Sequence, residues 1–304
     1  MKPNRMVPVL VVMAGLLACS PGGGGADGPR TVAQLDSVLQ ARIAGLPDAA
    51  VAVAYVDPAR GDTLLLNADT SFHAASTMKV PVLVELFRWQ DEGLLDVADS
   101  LVLRNEFRSV LDGSPYSLTP DSDSDSSLYE LIGTRVPFLE LARLMIVRSS
   151  NLATNALIDT LGAGRVQRTT DSLGAAGMRV LRGVEDLPAF RAGMSNTTNA
   201  WSLAALFLSI LEGRAASDQS TQAMLDILLG QELNNQIPAG LPEGTRVAHK
   251  TGSITAIMHD AGIVYPADRE PYVLVVLTGG IPDPEVSQRL TADIAGIVHA
   301  FATR

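Results

Sequence analysis

The sequence predicts an α/β fold in which one sheet takes strands from both ends of the chain and a long helical block is inserted between them. Three observations lead there. Apolar alternation marks strands near 51–65, and strands return near 245–278. Between them, from about 76 to 235, apolar spacing is mainly helical. Helical stripes also stand at both ends of this pattern.

In chain order, Leu35, Val38, Leu39, Ile43 and Leu46 predict a helix over 31–46. Val51, Val53 and Tyr55 alternate, as do Thr63 and Leu65 beyond a Pro58/Gly61 turn, which predicts a hairpin. The helical block carries loops at Asp121–Ser127 and near Gly183–Asn199. Strands return near Thr245–Gly252, Asp260–Tyr265 and Tyr272–Thr278, and a last helix shows Leu290, Ile294, Val298 and Phe301 on one face. The expected α/β parts are therefore about 31–75 and 236–304, with a helical part of about 76–235. The run Asp121-Ser122-Asp123-Ser124-Asp125-Ser126 lacks the glycine and distal glutamate of a calcium loop and is expected to be a solvated loop.

With 47% apolar and 18% charged residues, the 304-residue chain is expected to pack a core rather than stay disordered. A formal net charge of −10 argues against nucleic acid as a partner, because phosphate contacts need clustered Lys and Arg. The single cysteine, Cys19, excludes an intrachain disulfide. It follows Lys2, Arg5 and an apolar run from Met6 to Ala18, too short to span a bilayer. Leu16-Leu17-Ala18-Cys19 looks like a bacterial lipobox, so 1–18 reads as a signal peptide and 19–30 as a lipidated, glycine-rich tether. Cleavage by the ordinary route, with Cys19 incidental, stays open. No later segment is long and apolar enough to cross a membrane. The expectation is a periplasmic protein held to a bacterial membrane only by lipid, the outer one in a Gram-negative cell.

The chain has 20 Arg but only three Lys: Lys2, Lys79 and Lys250. Arginine does not lose its proton in a protein, whereas a desolvated lysine can act as a base. Lys79 ends Ser76-Thr77-Met78-Lys79 at the start of a helical run, one turn from Ser76. A serine hydroxyl is a weak nucleophile, and a neutral amine beside it can take or relay its proton. Free N–H groups at a helix start can stabilise an oxyanion. Ser149-Ser150-Asn151 falls between two apolar helical stretches, and Lys250-Thr251-Gly252-Ser253 ends a strand. Gly252 leaves room for a close approach to the backbone.

Ser-x-x-Lys, Ser-x-Asn and Lys-Thr-Gly in this order resemble the motif set of class A β-lactamases and the wider penicillin-recognising serine hydrolases. The resemblance spans about 31–304. It implies a five-stranded antiparallel sheet flanked by helices, with an inserted all-α subdomain and the site in the cleft between. It implies that Ser76 attacks the lactam carbonyl, Lys79 and Ser149 move protons, and Asn151 binds the acylamide side chain. Lys250, Thr251 and Ser253 would hold the substrate carboxylate. The N–H groups of Ser76 and Ser253 would form the oxyanion hole. No cofactor or metal is implied, the ligand is a small-molecule β-lactam or cell-wall peptide, and a monomer is expected.

A lactamase must also hydrolyse its acyl-enzyme, and Glu185 follows Asn151 at the family interval for the deacylation base. An ordinary surface glutamate, or an ion-pair partner of Arg182, is the competing reading. The sequence departs from the family pattern around it. Gly183 stands where an Arg is usual, Ala189 where a water-orienting Asn is usual, and Asn196 where an Asp usually closes the loop. Ser150 replaces the usual Asp of the second motif. Met258-His259-Asp260 falls where many relatives carry a carboxylate-binding Arg.

His73, His249, His259 and His299 show no paired metal spacing, and His249 is expected to be packed or exposed. No Gly-x-Ser-x-Gly elbow supports a Ser–His–Asp triad. Trp89 and Trp201 are expected in the core. β-Lactam hydrolysis leads. A D,D-peptidase, transpeptidase or esterase would use the same Ser76 group, and a non-catalytic binding protein would not need it.

Overall fold

The computed structural model describes residues 28–46 and 48–304. Residues 1–27, with the expected signal peptide, Cys19 and the glycine run, lie outside the described residues.

Helix α1 (Val32–Ile43) starts where Thr31 accepts from the Gln34 N–H, and it stops short of Leu46. A hairpin follows, β1 (Ala50–Asp57) and β2 (Asp62–Leu66). The expected one-sided alternation does not hold for β1, where Val51, Val53 and Tyr55 are buried on one face and Ala52 and Ala54 on the other. The reason is position: β1 lies inside the sheet, covered on both sides. In the edge strand β2 the inward residues are Leu64 and Leu66, and Leu65 faces solvent.

The main sheet has the order β2-β1-β11-β10-β9, with β9 (Arg246–Ile254), β10 (Ile257–Tyr265) and β11 (Tyr272–Gly279) from the C-terminal part. All neighbouring pairs are antiparallel. One face is covered by α1 and the last helix, α9 (Pro284–Ala302), through Leu35, Leu39, Leu290, Ile294 and Val298. Asp283 caps α9, and Pro284 opens it where a missing N–H costs nothing. At its other end Arg60 donates to the carbonyls of Phe301 and Ala302. Arg60 and Arg269 line a depression of about 1160 Å³ there, remote from the serine and lysine motifs.

The opposite face packs on the inserted block, chiefly α7 (Ala200–Leu211). The block also holds α2 (Lys79–Asp91), α3 (Phe138–Val147), α4 (Asn151–Leu161), α5 (Ala163–Ser172), α6 (Leu187–Arg191) and α8 (Asp218–Leu229). Short pairings that apolar spacing did not reveal accompany them. These are β3 (Phe72–His73) with β8 (Thr197–Thr198), β4 (Ser100–Val102) with β7 (Arg135–Pro137), and β5 (Phe107–Arg108) with β6 (Pro115–Tyr116). Strands of two or three residues are too short to show a period.

Glu85 of α2 is buried and accepts from Trp89 Nε1 (2.7 Å) and Arg165 Nε (2.6 Å), tying α2 to α5. Trp89 packs against the core. Trp201 does not: it is 38% exposed, the outward-facing residue of a first turn of α7 whose Ala200, Ser202 and Leu203 are buried. Among the described residues, no helix is long and apolar enough to cross a membrane.

Candidate active site

Ser76 lies in a 3-10 turn (Ala75–Met78) that runs directly into α2. The turn is set by three bonds. The Ala74 N–H donates to the Asn196 carbonyl (2.9 Å), the Ala75 N–H to His73 Nδ1 (3.0 Å), and the Thr77 hydroxyl to the Ala74 carbonyl (2.6 Å). Ala75 takes φ +46°, Ser149 φ +62° and Glu185 φ +61°. Left-handed backbone costs a non-glycine residue about 1–2 kcal/mol, so three such residues around one cleft mark a strained, held site.

Lys79 is wholly buried, and its Nζ donates to the Ser149 carbonyl (2.6 Å), Ser149 Oγ (3.2 Å) and Asn151 Oδ1 (2.9 Å). Lys250, also wholly buried, donates to the same Ser149 Oγ (3.1 Å) and to the Thr251 carbonyl (2.8 Å). The two amines are thus bridged by one hydroxyl and stand at most about 6 Å apart. At an effective dielectric of about 20, charging both costs about 3 kcal/mol. Burial, then the charge of Lys250, holds the Lys79 amine well below the usual lysine range, with Asp123 and Glu185 opposing. Burial lowers Lys250 to about 7, with Asp260 opposing. Three donated bonds use all three ammonium hydrogens; the neutral amine that a proton acceptor needs keeps two of them and can instead accept from Ser149 Oγ.

Ser149 and Asn151 come from the junction of α3 and α4. Ser150 is the N-cap of α4, accepting from the Ala153 N–H (3.3 Å). Serine and aspartate cap helices about equally well, so its replacement of the usual Asp keeps the local structure. Asp123 completes the cap from another loop. Its carboxylate accepts from the N–H groups of Asn151 (2.7 Å) and Leu152 (2.8 Å) and from the Tyr129 hydroxyl (3.0 Å). The expectation of a merely solvated Asp121–Ser127 loop therefore fails at Asp123, and also at Asp125, which is buried. Asp123 is the site residue the sequence did not disclose. It lies 28 positions before the N–H it caps, beyond any local capping rule.

Strand β9 closes the other wall. A Cβ on Gly252 would stand 3.0 Å from Ser76 N and 3.1 Å from Thr77 N, so only glycine lets the strand lie this close to the Ser76 turn. Ser76, Ser149, Asn151, Glu185, Thr251 and Ser253 line one cleft of about 500 Å³. Lys79 and Lys250 lie beneath its surface.

The loop carrying Glu185 is held by neutral amides. Asn155 Oδ1 accepts from the Val184 N–H (2.7 Å), and its Nδ2 donates to the Val184 carbonyl (2.9 Å). A Cβ on Gly183 would lie 2.6 Å from Asn155 Oδ1, which explains why no arginine fits there. Arg182 instead donates to the carbonyls of Met194 (2.8 Å) and Gly183 (2.9 Å), rather than pairing with Glu185, and lies over the Phe190 ring. Asn196 Oδ1 accepts from Leu181 N (2.8 Å), and its Nδ2 donates to the Arg182 carbonyl (2.9 Å). Ala189 is buried in α6 and offers no polar group beside Glu185.

Two histidines are buried in the neighbouring strands β9 and β10. His259 Nε2 faces the His73 carbonyl (3.0 Å), and burial pushes its imidazole down to about 4. It braces the segment that leads into the Ser76 turn. His249 is buried and pairs with Asp260. Among the described residues no cluster of His, Cys, Asp and Glu could hold a metal ion.

Residues 34–302 match the model of the β-lactamase enzyme family. A β-lactamase of Streptomyces fradiae is 27% identical over 312 residues, covering 99% of this chain and 98% of that one. The solved structure of PBP-A is 29% identical with a TM-score of 0.77, covering 91% of this chain and 99% of that one. A β-lactamase from Sphaerobacter thermophilus is also 29% identical, with a TM-score of 0.75, covering 89% and 97%. Two buried lysines that share the Ser149 hydroxyl, in a five-stranded α/β fold matched along nearly its whole length, place the chain in the β-lactamase enzyme family.

Proposed function

We propose that the protein opens β-lactam rings as a serine hydrolase, through an acyl-enzyme on Ser76. The observation that carries this is the buried Lys79 amine, lowered toward neutrality beside Lys250 and bonded to Ser149 Oγ. Lys79 takes the Ser76 proton as Oγ bonds to the lactam carbonyl carbon. Backbone N–H groups of Ser76 and Ser253 stabilise the oxyanion, a contribution of about 3–4 kcal/mol per donor. The C–N bond breaks as Ser149 passes its proton to the leaving nitrogen and regains one from the protonated Lys79, whose Nζ lies 3.2 Å from Ser149 Oγ. Asn151 orients the acylamide group, and Lys250, Thr251 and Ser253 take the carboxylate. Glu185 then removes a proton from water as it attacks the ester carbonyl; the C–O bond to Ser76 breaks, Ser76 Oγ takes that proton back, and the opened acid leaves. The lining of one cleft by Ser76 and Glu185 supports that second half. A PBP-A variant has been solved as its acyl-enzyme complex with penicillin G, which supports the first half.

The leader and Cys19 support export and lipid anchoring to a bacterial membrane, on the chemistry of that sequence alone. Mass spectrometry of the protein with benzylpenicillin over time tests the catalytic reading. The expected result is one adduct that appears and then clears while opened penicillin accumulates. A stable stoichiometric adduct with no turnover would place the chain with penicillin-binding peptidases, and no adduct at all would refute the nucleophile.

A further inference from the structure

His73 lines the cleft beside Ser76 but takes no part in the mechanism above. It ends β3, just ahead of the turn that carries the serine. Its Nδ1 stands 3.0 Å from the Ala75 N–H. A backbone N–H can only donate, so Nδ1 is the acceptor and the neutral ring carries its proton on Nε2. The residue held in this way is the one immediately before Ser76, and it lies in left-handed backbone at φ +46°. Such backbone persists only where its surroundings over-determine it. The Ala74 N–H donates to the Asn196 carbonyl (2.9 Å), and His259 Nε2 meets the His73 carbonyl (3.0 Å). Those two bonds fix the segment before the turn, and the His73 ring holds Ala75 itself.

We propose that His73 is a positioning residue for acylation: its unprotonated Nδ1 holds Ala75 in the left-handed turn that presents Ser76, and a proton on that nitrogen releases the turn. The inference rests on the reading of Ser76 as the nucleophile. Protonation puts a hydrogen on Nδ1, which then faces the Ala75 N–H as donor against donor. The ring must turn away, Ala75 loses the bond that holds it, and the serine shifts from the geometry acylation needs. The groups around His73 favour the neutral ring. Burial, then the Arg182 guanidinium from the loop before Glu185, holds the imidazole below the usual histidine range. From α6 comes the Phe190 ring, its centroid 6.0 Å away, and from β8 the uncharged Thr197. From β10 comes His259, which burial pushes down to about 4. Glu185 is the acidic residue in the lining of the same cleft. Acylation is therefore present while His73 is neutral and is lost as pH falls through its lowered value.

The test compares the wild type with His73→Asn and His73→Leu in single-turnover acylation by a chromogenic cephalosporin, across about pH 4–8 to span the usual histidine value. Circular dichroism melting checks the fold. Asn carries Oδ1 on Cγ, where histidine carries Nδ1, and an Asn oxygen commonly accepts the N–H two residues on. It keeps the acceptor and does not titrate. Leu puts a methyl group there and accepts nothing. Wild-type acylation should fall along an acid limb, by about tenfold per pH unit. His73→Asn should match the wild type within about threefold near pH 7.5 and lack that limb, while His73→Leu should be slower by about tenfold or more near pH 7.5. Lys79 and His259 are common to all three proteins, so a limb that either sets is shared and separates none of them. A side chain that only fills space predicts one pH profile for all three. A wild type without the limb, a folded His73→Asn that keeps it, or a folded His73→Leu with the wild-type rate overturns the inference. If the variants do not fold, 15N spectra of histidine-labelled wild type replace them. The His73 ring must then carry its proton on Nε2 at neutral pH and titrate along the acid limb. A proton on Nδ1, or a limb that His73 does not follow, overturns the inference. Absence of both adduct and turnover in the wild type would overturn the functional reading together with this one. Normal acylation with superimposable profiles overturns this one alone.

Discussion

Replacing Lys79 by Arg separates charge from basicity at the point where the chemistry begins. The native amine is wholly buried and donates at 2.6, 2.9 and 3.2 Å to the Ser149 carbonyl, Asn151 Oδ1 and Ser149 Oγ. A guanidinium keeps its proton at any working pH, so it offers donors but accepts nothing. General-base assistance is worth about 10²–10⁴-fold, or about 3–5 kcal/mol of barrier. The variant also sets a permanent charge within about 6 Å of Lys250, a repulsion of about 3 kcal/mol at an effective dielectric of 20. Acylation should therefore fall by about 10²–10⁴-fold, with weaker binding of carboxylate-bearing substrates in addition. Stopped-flow mixing with a chromogenic cephalosporin in single turnover reads the step directly, and circular dichroism melting confirms the fold. A folded Lys79→Arg protein that acylates within about tenfold of wild type would refute the assignment of Lys79 as proton acceptor.

Glu185→Ala should leave acylation nearly intact and slow deacylation by about 10²–10⁴-fold, so that the adduct persists in time-resolved mass spectra; unchanged clearance excludes Glu185 as the base. Asp123→Asn removes a charged cap from two N–H groups of α4 and a counter-charge from the Lys79 region. It should cost about 1–2 kcal/mol in denaturant unfolding and raise KM more than it lowers kcat, through a displaced Asn151. Both buried lysines have lowered proton affinity in the folded state, so between about pH 7 and the ordinary lysine range the unfolded chain binds more protons. Stability should accordingly rise with pH across that window, and Lys250→Met should flatten the slope in urea titrations at successive pH values.

Much of this molecule is local in sequence. The core stripes of α1 and α9 follow from apolar period, because burial repeats every three to four residues in a helix, whereas the three C-terminal strands are buried on both faces and show as short apolar runs rather than as an alternation. Ser76, Lys79, Ser149, Asn151 and Lys250 were legible because a chain that otherwise uses arginine keeps so few amines, each within a short motif. Other features had no local signal. The Asp123 cap, the Asn155 clamp that forces Gly183, and the His249–Asp260 pair each join residues 11 or more positions apart.

The sequence by itself determined which residues could do the chemistry, since side-chain identity decides which group can be a nucleophile and which amine can lose a proton. Only the tertiary structure decided their charge. Proton affinity depends on burial and on the nearest other charges, and the chain sets those distances when β9 closes against the turn of Ser76.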